Sequence, residues 1–141
     1  MITRNADATW NGDLKAGKGT LKLGSGAFSG PYSFASRFEG QKEANPEELL
    51  GAAHAGCFSM ALASALAKAG HVATSVHTTA TVTLAKGDAG FSITGIHLKT
   101  EGKVPGLSAA DFKQHAEATK TGCIVSRALA SVPMTLEATL L

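Results

Sequence analysis

A chain of 141 residues is the usual size of one domain, and a hydrophobic content of 44% is ample for a core. Its net charge is +2 without a dense Lys/Arg run, so nothing demands a nucleic acid or an anionic membrane as partner. The opening residues, MITRNADATWNG, lack the apolar stretch of a signal peptide, so the expectation is a cytoplasmic protein with its two cysteines reduced and, without a CxxC, no zinc site.

Residues 6–23 read as a β-hairpin. Ala6, Ala8 and Trp10 alternate, as do Leu21 and Leu23, and Asn11-Gly12, Gly17 and Gly19 between them are turn formers. Gly24, Gly26 and Gly30 mark a loop whose spacing fits neither a dinucleotide-binding nor a phosphate-binding pattern. Tyr32 to Glu39 is predicted as a third strand, with Tyr32, Phe34, Ser36 and Phe38 on one face.

Asn45 to Gly70 predicts one long helix, about 45–69, around which the rest is organised. Asn45 suits the N-cap and Pro46 the first helical position. Glu47 and Glu48 complement the positive end of the helix dipole, Lys68 lies in the last turn, and Gly70 suits the left-handed position after it. Leu49 to Ala67 holds no Asp, Glu, Lys or Arg, which is enough apolar length to raise a membrane span. The stretch is largely Ala, Gly and Ser, contains His54, and has polar flanks, so a buried core helix is expected instead. Gly51, Ala52, Ala53, Ala55 and Gly56 permit close approach by another element, such as the same helix of a second subunit.

Val76, Thr78, Ala80, Val82 and Leu84 then alternate with polar residues, Lys86 to Ala89 is a turn, and Gly90 to Lys103 returns as the partner strand. The apolar phase changes between Phe91/Ile93 and Ile96/Leu98, which predicts a β-bulge near Thr94-Gly95. Ser108 caps a short helix with Phe112, Ala116 and Thr119 on one face, Gly122 interrupts it, and Cys123 to Ala130 forms another before Pro133. Met134 to Leu140 alternates as a closing strand. Such an order predicts a single α+β domain over 1–141, with mostly antiparallel pairing rather than regular βαβ units.

Cys57, in the middle of the long helix, is the first candidate for chemistry. A lone Cys in an Ala-rich helix is ordinarily a small core hydrophobe. To react as a thiolate it needs a fixed cation, since a mid-helix position gains nothing from the helix N-terminus. Arg37 is a suitable cation, and a buried Arg needs a carboxylate such as Glu47 or Glu39. Cys123, at the start of a helix, gains thiolate character from the dipole, so physics alone leaves open which cysteine attacks first. His54, one turn from Cys57, offers the alternative of a Cys–His hydrolase dyad. His71, His77, His97 and His115 are scattered and form no metal set.

The run RFEGQKEANPEELLGAAHAGCFSMAL at 37–62 resembles the signature of the osmotically inducible protein C (OsmC) family of thiol-dependent peroxidases. The likeness extends to ATWNGDLKAGKGT at 8–20, TTATVTLAKGDAGFSITGIHLKTE at 78–101 and GCIVS at 122–126. It implies that Cys57 is the peroxidatic and Cys123 the resolving cysteine, with Arg37 and Glu47 completing the site. It also implies an intertwined homodimer with active sites at the interface, an organic hydroperoxide as substrate, an external dithiol as reductant, no cofactor, and a role in oxidative or osmotic stress defence. Arg37 would stabilise the Cys57 thiolate, and Glu47 would orient Arg37. Cys57 sulfenic acid would then condense with Cys123 to a disulfide. Glu47 and Cys57 stand ten residues apart, about 15 Å along a continuous helix, so a Glu47 serving Cys57 comes from the other subunit or acts indirectly. Phe34, Phe38, Phe58 and Met60 are candidates for an apolar pocket near Cys57 that would favour alkyl or acyl hydroperoxides over hydrogen peroxide. Besides the Cys57/His54 hydrolase, the remaining alternative is a non-catalytic small-molecule binding module on the same fold.

Overall fold

The computed structural model describes residues 1–141. The chain forms two compact units, Met1–Leu49 and Leu50–Leu141.

The first unit holds β1 (Ala6–Asn11), β2 (Lys18–Leu23) and β3 (Ser29–Tyr32), then the short helix α1 (Phe34–Phe38). The strands form an antiparallel sheet in the order β1-β2-β3. The hairpin follows the sequence expectation. Gly19, opposite Trp10 on β1, leaves room for the Trp10 and Tyr32 rings; a Cβ there would collide with the tyrosine ring.

The strand expected over Tyr32–Glu39 is not formed: β3 lies earlier and shares only Tyr32 with it, taking in Gly30 from the stretch read as a loop, and residues 34–38 are helical. Ser33 and Ser36 form a reciprocal cap. The Ser36 N–H donates to Ser33 Oγ at 3.1 Å, and the Ser33 N–H donates to Ser36 Oγ at 2.9 Å. A local side-chain bond of this kind offers the backbone a helical start that competes with a strand ladder. Phe34 and Phe38, four residues apart, share a face of α1 instead, their rings 4.9 Å apart, while Tyr32 ends β3.

The long helix α2 (Pro46–Lys68) is unbroken. Asn45 caps it, its Oδ1 accepting from the Glu48 N–H at 2.8 Å. At the other end Gly70 takes φ +88°, and the His71 N–H reaches the Leu66 carbonyl at 2.9 Å while the Gly70 N–H reaches that of Ala67 at 3.0 Å. This is the paired bonding by which a left-handed glycine closes a helix.

In the second unit α2 lies on a sheet of order β4-β5-β6, built from β4 (Ser75–Gly87), β5 (Gly90–Lys103) and β6 (Met134–Leu140). Gly51, His54, Phe58, Leu62 and Leu66 make its buried stripe, at helical spacing. Gly51 brings the helix close enough to β4 that a Cβ would stand 3.2 Å from the Ala80 carbonyl oxygen. Ser59 donates to Thr78 Oγ1 at 2.8 Å, which pairs with Thr100 Oγ1 at 2.9 Å, so the hydroxyls buried between helix and sheet satisfy one another. β4 and β5 pair antiparallel, with the register shift between Thr83 and Leu84: Thr83 faces Gly95 and Leu84 faces Ile93. Thr94 is the extra residue, at the predicted bulge. Between β5 and β6 stand α3 (Ala109–Gly122) and α4 (Ile124–Ala128), a crossover that delivers β6 parallel to β5. The fold is α+β with mostly antiparallel pairing, in two sheets, and this ladder is the parallel one. Phe112, Ala116 and Thr119 are the buried face of α3.

By length and composition α2 is apolar enough to cross a membrane. Its Phe58, Leu62 and Leu66 are fully buried in the core, whereas Ala52, Ala53, Gly56, Met60 and Ser64 face outward.

Candidate active site

In the first unit, α1 and the start of α2 bring Arg37 and Glu47 together. Ser36 Oγ donates to the Ala44 carbonyl at 2.9 Å, fixing α1 against the segment that leads into α2. Arg37, in the last turn of α1, then meets Glu47 in the first turn of α2. Nη2 and Nε both donate to Glu47 Oε1, at 2.8 and 3.1 Å. The Glu47 side chain is 10% exposed and that of Arg37 41%. The carboxylate is thus the inner member of the pair and the guanidinium the outer one. With Nε and Nη2 engaged, the fork is held in one orientation and its Nη1 edge is left for another acceptor.

Beside Arg37 is a cavity of about 200 Å³ lined by Trp10, Leu14, Tyr32, Phe34 and Phe38. Arg37 also lies over the Phe38 ring, 5.5 Å from its centroid. A cavity with an aromatic and aliphatic wall and one cation suits a molecule with an apolar body and a polar end. Of the four residues expected to line a pocket near Cys57, Phe34 and Phe38 line this cavity, which lies beside Arg37 in the first unit. Phe58 is fully buried in the core, and Met60 is 76% exposed on α2.

In the second unit both cysteines are free thiols. Cys57, half-buried on α2, packs against the hydrophobic cluster that contains Cys123. Cys123 is 3% exposed and caps α4, its Sγ accepting from the Ser126 N–H at 3.3 Å. The Ser126 hydroxyl lies 3.1 Å from the same sulfur and 2.7 Å from His54 Nε2. His54 is fully buried, and burial lowers its pKa below the ordinary 6.5. Its other ring nitrogen, Nδ1, has no hydrogen-bond partner. Neither ring nitrogen therefore pairs with Cys57, and the dyad that a Cys–His hydrolase needs is not formed. No three His, Cys, Asp or Glu side chains converge on a point.

Of the four site residues read from the sequence, Arg37 joins Glu47, and Cys57 and Cys123 share one core. Ser126 escaped the sequence reading. Its signal was the spacing Cys123-x-x-Ser126 at a helix start, in which the cap's side chain meets the backbone three residues on.

Residues 39–137 match the family described as OsmC-like protein. The chain belongs to the OsmC family. It is 53% identical over 129 residues to Peroxiredoxin OsmC of Escherichia coli (strain K12), covering 91% of this chain and 90% of the relative, and equally similar to the protein of that name from Shigella flexneri. Among solved structures, the organic hydroperoxide resistance protein OhrB of Bacillus subtilis superposes with a TM-score of 0.75 at 24% identity, covering 95% of this chain and 97% of that one. An OsmC-like protein of unknown function from Vibrio cholerae gives a TM-score of 0.76 at 18% identity, covering 98% and 99%. The fold is thus that of OsmC and Ohr proteins.

Proposed function

We propose that this chain reduces organic hydroperoxides to alcohols, with Cys57 as the attacking thiol, Cys123 as the resolving thiol, and Arg37 and Glu47 as the charged pair that prepares the attack. Its class is set by family and by the 53% identical peroxiredoxins: the chain is a thiol-dependent peroxidase. The observation that carries the finer assignment is the unequal exposure of two free thiols that share one core, Cys57 half-buried and Cys123 3% exposed. A hydroperoxide has to reach the first thiol, whereas the second is best kept from oxidants until a sulfenic acid exists for it to attack.

The Cys57 thiolate attacks the terminal peroxide oxygen, the O–O bond breaks, and the alkoxide leaves to become an alcohol. Guanidinium N–H groups held by Glu47 stabilise the thiolate and the charge that develops on the leaving oxygen. The Cys57 sulfenic acid condenses with Cys123, releasing water, and an external dithiol reopens the disulfide by exchange. The cavity beside Arg37 accepts the organic part of the substrate. The unbroken α2 supports a homodimer in which the Arg37–Glu47 pair of one subunit serves Cys57 of the other, since ten residues of helix amount to about 15 Å. The outward face of α2, Ala52, Ala53, Gly56 and Met60, is small and apolar enough to pack on a copy of itself. Defence against oxidative or osmotic stress follows as the physiological setting.

The test is mass spectrometry after one equivalent of cumene hydroperoxide, with free thiols trapped. Rapid loss of both thiols and a Cys57–Cys123 cross-link are expected. Two thiols persisting, or reacting no faster than a thiol in free solution, would sink the proposal.

A further inference from the structure

His54 has no part in that scheme, yet it is fully buried and one of its nitrogens has no partner. An apolar residue at this position would spare the chain that desolvation, so the imidazole calls for a reason. Its one contact is specific. Nε2 lies 2.7 Å from Ser126 Oγ, across 72 residues of sequence, and the same hydroxyl lies 3.1 Å from Cys123 Sγ. Ser126, 3% exposed, thus links a buried imidazole to a buried thiol.

We propose that Ser126 and His54 form a proton relay for Cys123, which takes the thiol proton as Cys123 closes the disulfide with oxidised Cys57. This rests on the peroxidase reading and deepens it. Ser126 touches the reacting sulfur and is a catalytic residue; His54 acts through it as a positioning residue that also receives the proton.

The chain of contacts runs in both directions with little movement. In the resting state the Cys123 S–H donates to Ser126 Oγ, and the Ser126 O–H donates to His54 Nε2. When the Cys123 proton moves to Ser126, the proton of Ser126 moves to His54. His54 then donates back to Ser126, and Ser126 donates by both its O–H and its N–H to the thiolate. The N–H half of that arrangement is already in place at 3.3 Å. A sulfur 3% exposed to solvent has little recourse to water as base. Burial keeps the resting imidazole neutral, and because the same burial disfavours its charged form, the proton it takes is held only transiently. His54 also stands three residues before Cys57 on α2, so the bond that holds Ser126 tethers the start of α4 to the helix face neighbouring Cys57.

The step balances within the protein. The Cys123 sulfur forms the S–S bond with the Cys57 sulfur and is oxidised. The Cys57 sulfur is reduced as its S–O bond breaks, and the oxygen leaves with the bonding pair as hydroxide. Hydroxide takes a proton from solvent, and His54 later returns one to solvent through Ser126, which lines an open cleft with Lys120, Arg127 and Met134. The sum is one thiol and one sulfenic acid giving one disulfide and water.

The experiment follows the two chemical steps separately in the full chain, without reductant, after one equivalent of cumene hydroperoxide. Sulfenic acid is trapped with dimedone, and disulfide is counted by mass after rapid quenching. Ser126→Ala and His54→Gln are expected to leave Cys57 oxidation unchanged, slow disulfide formation roughly a hundredfold, and accumulate the dimedone adduct. His54→Gln is the stricter variant, since glutamine keeps a hydrogen bond to Ser126 but cannot take its proton. Ser126→Thr, which retains the hydroxyl, is expected to restore the rate. Disulfide formation at the wild-type rate in either Ser126→Ala or His54→Gln overturns the relay while leaving the peroxidase reading intact. Failure of wild-type Cys57 to oxidise overturns both. Should the variants not fold, the unsubstituted protein decides: the relay predicts slower disulfide formation in heavy water, and an inverse or absent effect overturns it.

Discussion

Glu47, the inner member of its ion pair, depends on Arg37 for its burial, whereas Arg37 at 41% exposure could find water instead. Glu47→Gln therefore costs stability modestly, about 1 kcal/mol, since only one charge is desolvated. Its effect on chemistry is larger. With the fork no longer held, Cys57 oxidation by cumene hydroperoxide is expected to slow by at least about tenfold, by stopped-flow, while thermal unfolding shifts only a few degrees. His54 gives a second expectation. Burial lowers its folded-state pKa below 6.5, so the unfolded chain takes up a proton that the folded chain refuses. Stability is unaffected above that pH and is lost as pH falls from 6.5 toward the depressed folded value, by at most about 1.4 kcal/mol per pH unit. Urea midpoints measured over this range should show the decline in wild type and its loss in His54→Gln. Charge pairing alone offered Glu47 or Glu39 to Arg37, and the family resemblance pointed to Glu47; that the carboxylate rather than the guanidinium is the buried partner was not legible. Nor was Ser126, because its partner lies 72 residues away and no local pattern encodes that distance.

Helix α1 is short, yet it sets the direction of Arg37. Its reciprocal Ser33–Ser36 cap makes a prediction at the level of the element: Ser33→Ala costs about 1 kcal/mol. It also lowers the peroxidase rate although Ser33 is remote from any thiol in sequence, because α1 frays and the guanidinium loses its fixed approach to Glu47. Circular dichroism melts and single-turnover oxidation of the same variant check both. The alternation at 32–39 pointed to a strand because period two and a five-residue helix are hard to separate over so short a span, and two serines decided it. Where the pattern was long it was reliable. The caps of α2, the buried face of α3 and the bulge at Thr94 could each be read from residues alone, since each depends on neighbours within one or two turns. That β6 runs parallel to β5 could not, because strand direction is set by the crossover between them rather than by either strand.

For the whole molecule, the proposed dimer predicts a mass in solution twice the 14.3 kDa of one chain. Met60, 76% exposed on the outward face of α2, is the place to test it. Met60→Glu puts a charge on an apolar face and is expected to shift sedimentation toward the monomer, with a parallel loss of peroxidase activity if each site draws on two subunits. The parallel ladder that places β6 beside β5 has a further consequence, in the order of assembly. β4 and β5 are joined by a tight turn and can pair as soon as both exist, while Met134 must find Ile96 across the whole of α3 and α4. Closing that loop is the slower event. Until it happens β5 is an edge strand, and the core that encloses Cys123 is incomplete. The thiol best hidden in the finished protein is thus among the last to be hidden while the chain is being made. A chain refolded in the presence of hydroperoxide is expected to carry sulfinic or sulfonic acid at Cys123, a lesion the folded enzyme escapes, so an enzyme that removes oxidants is itself most open to them at birth.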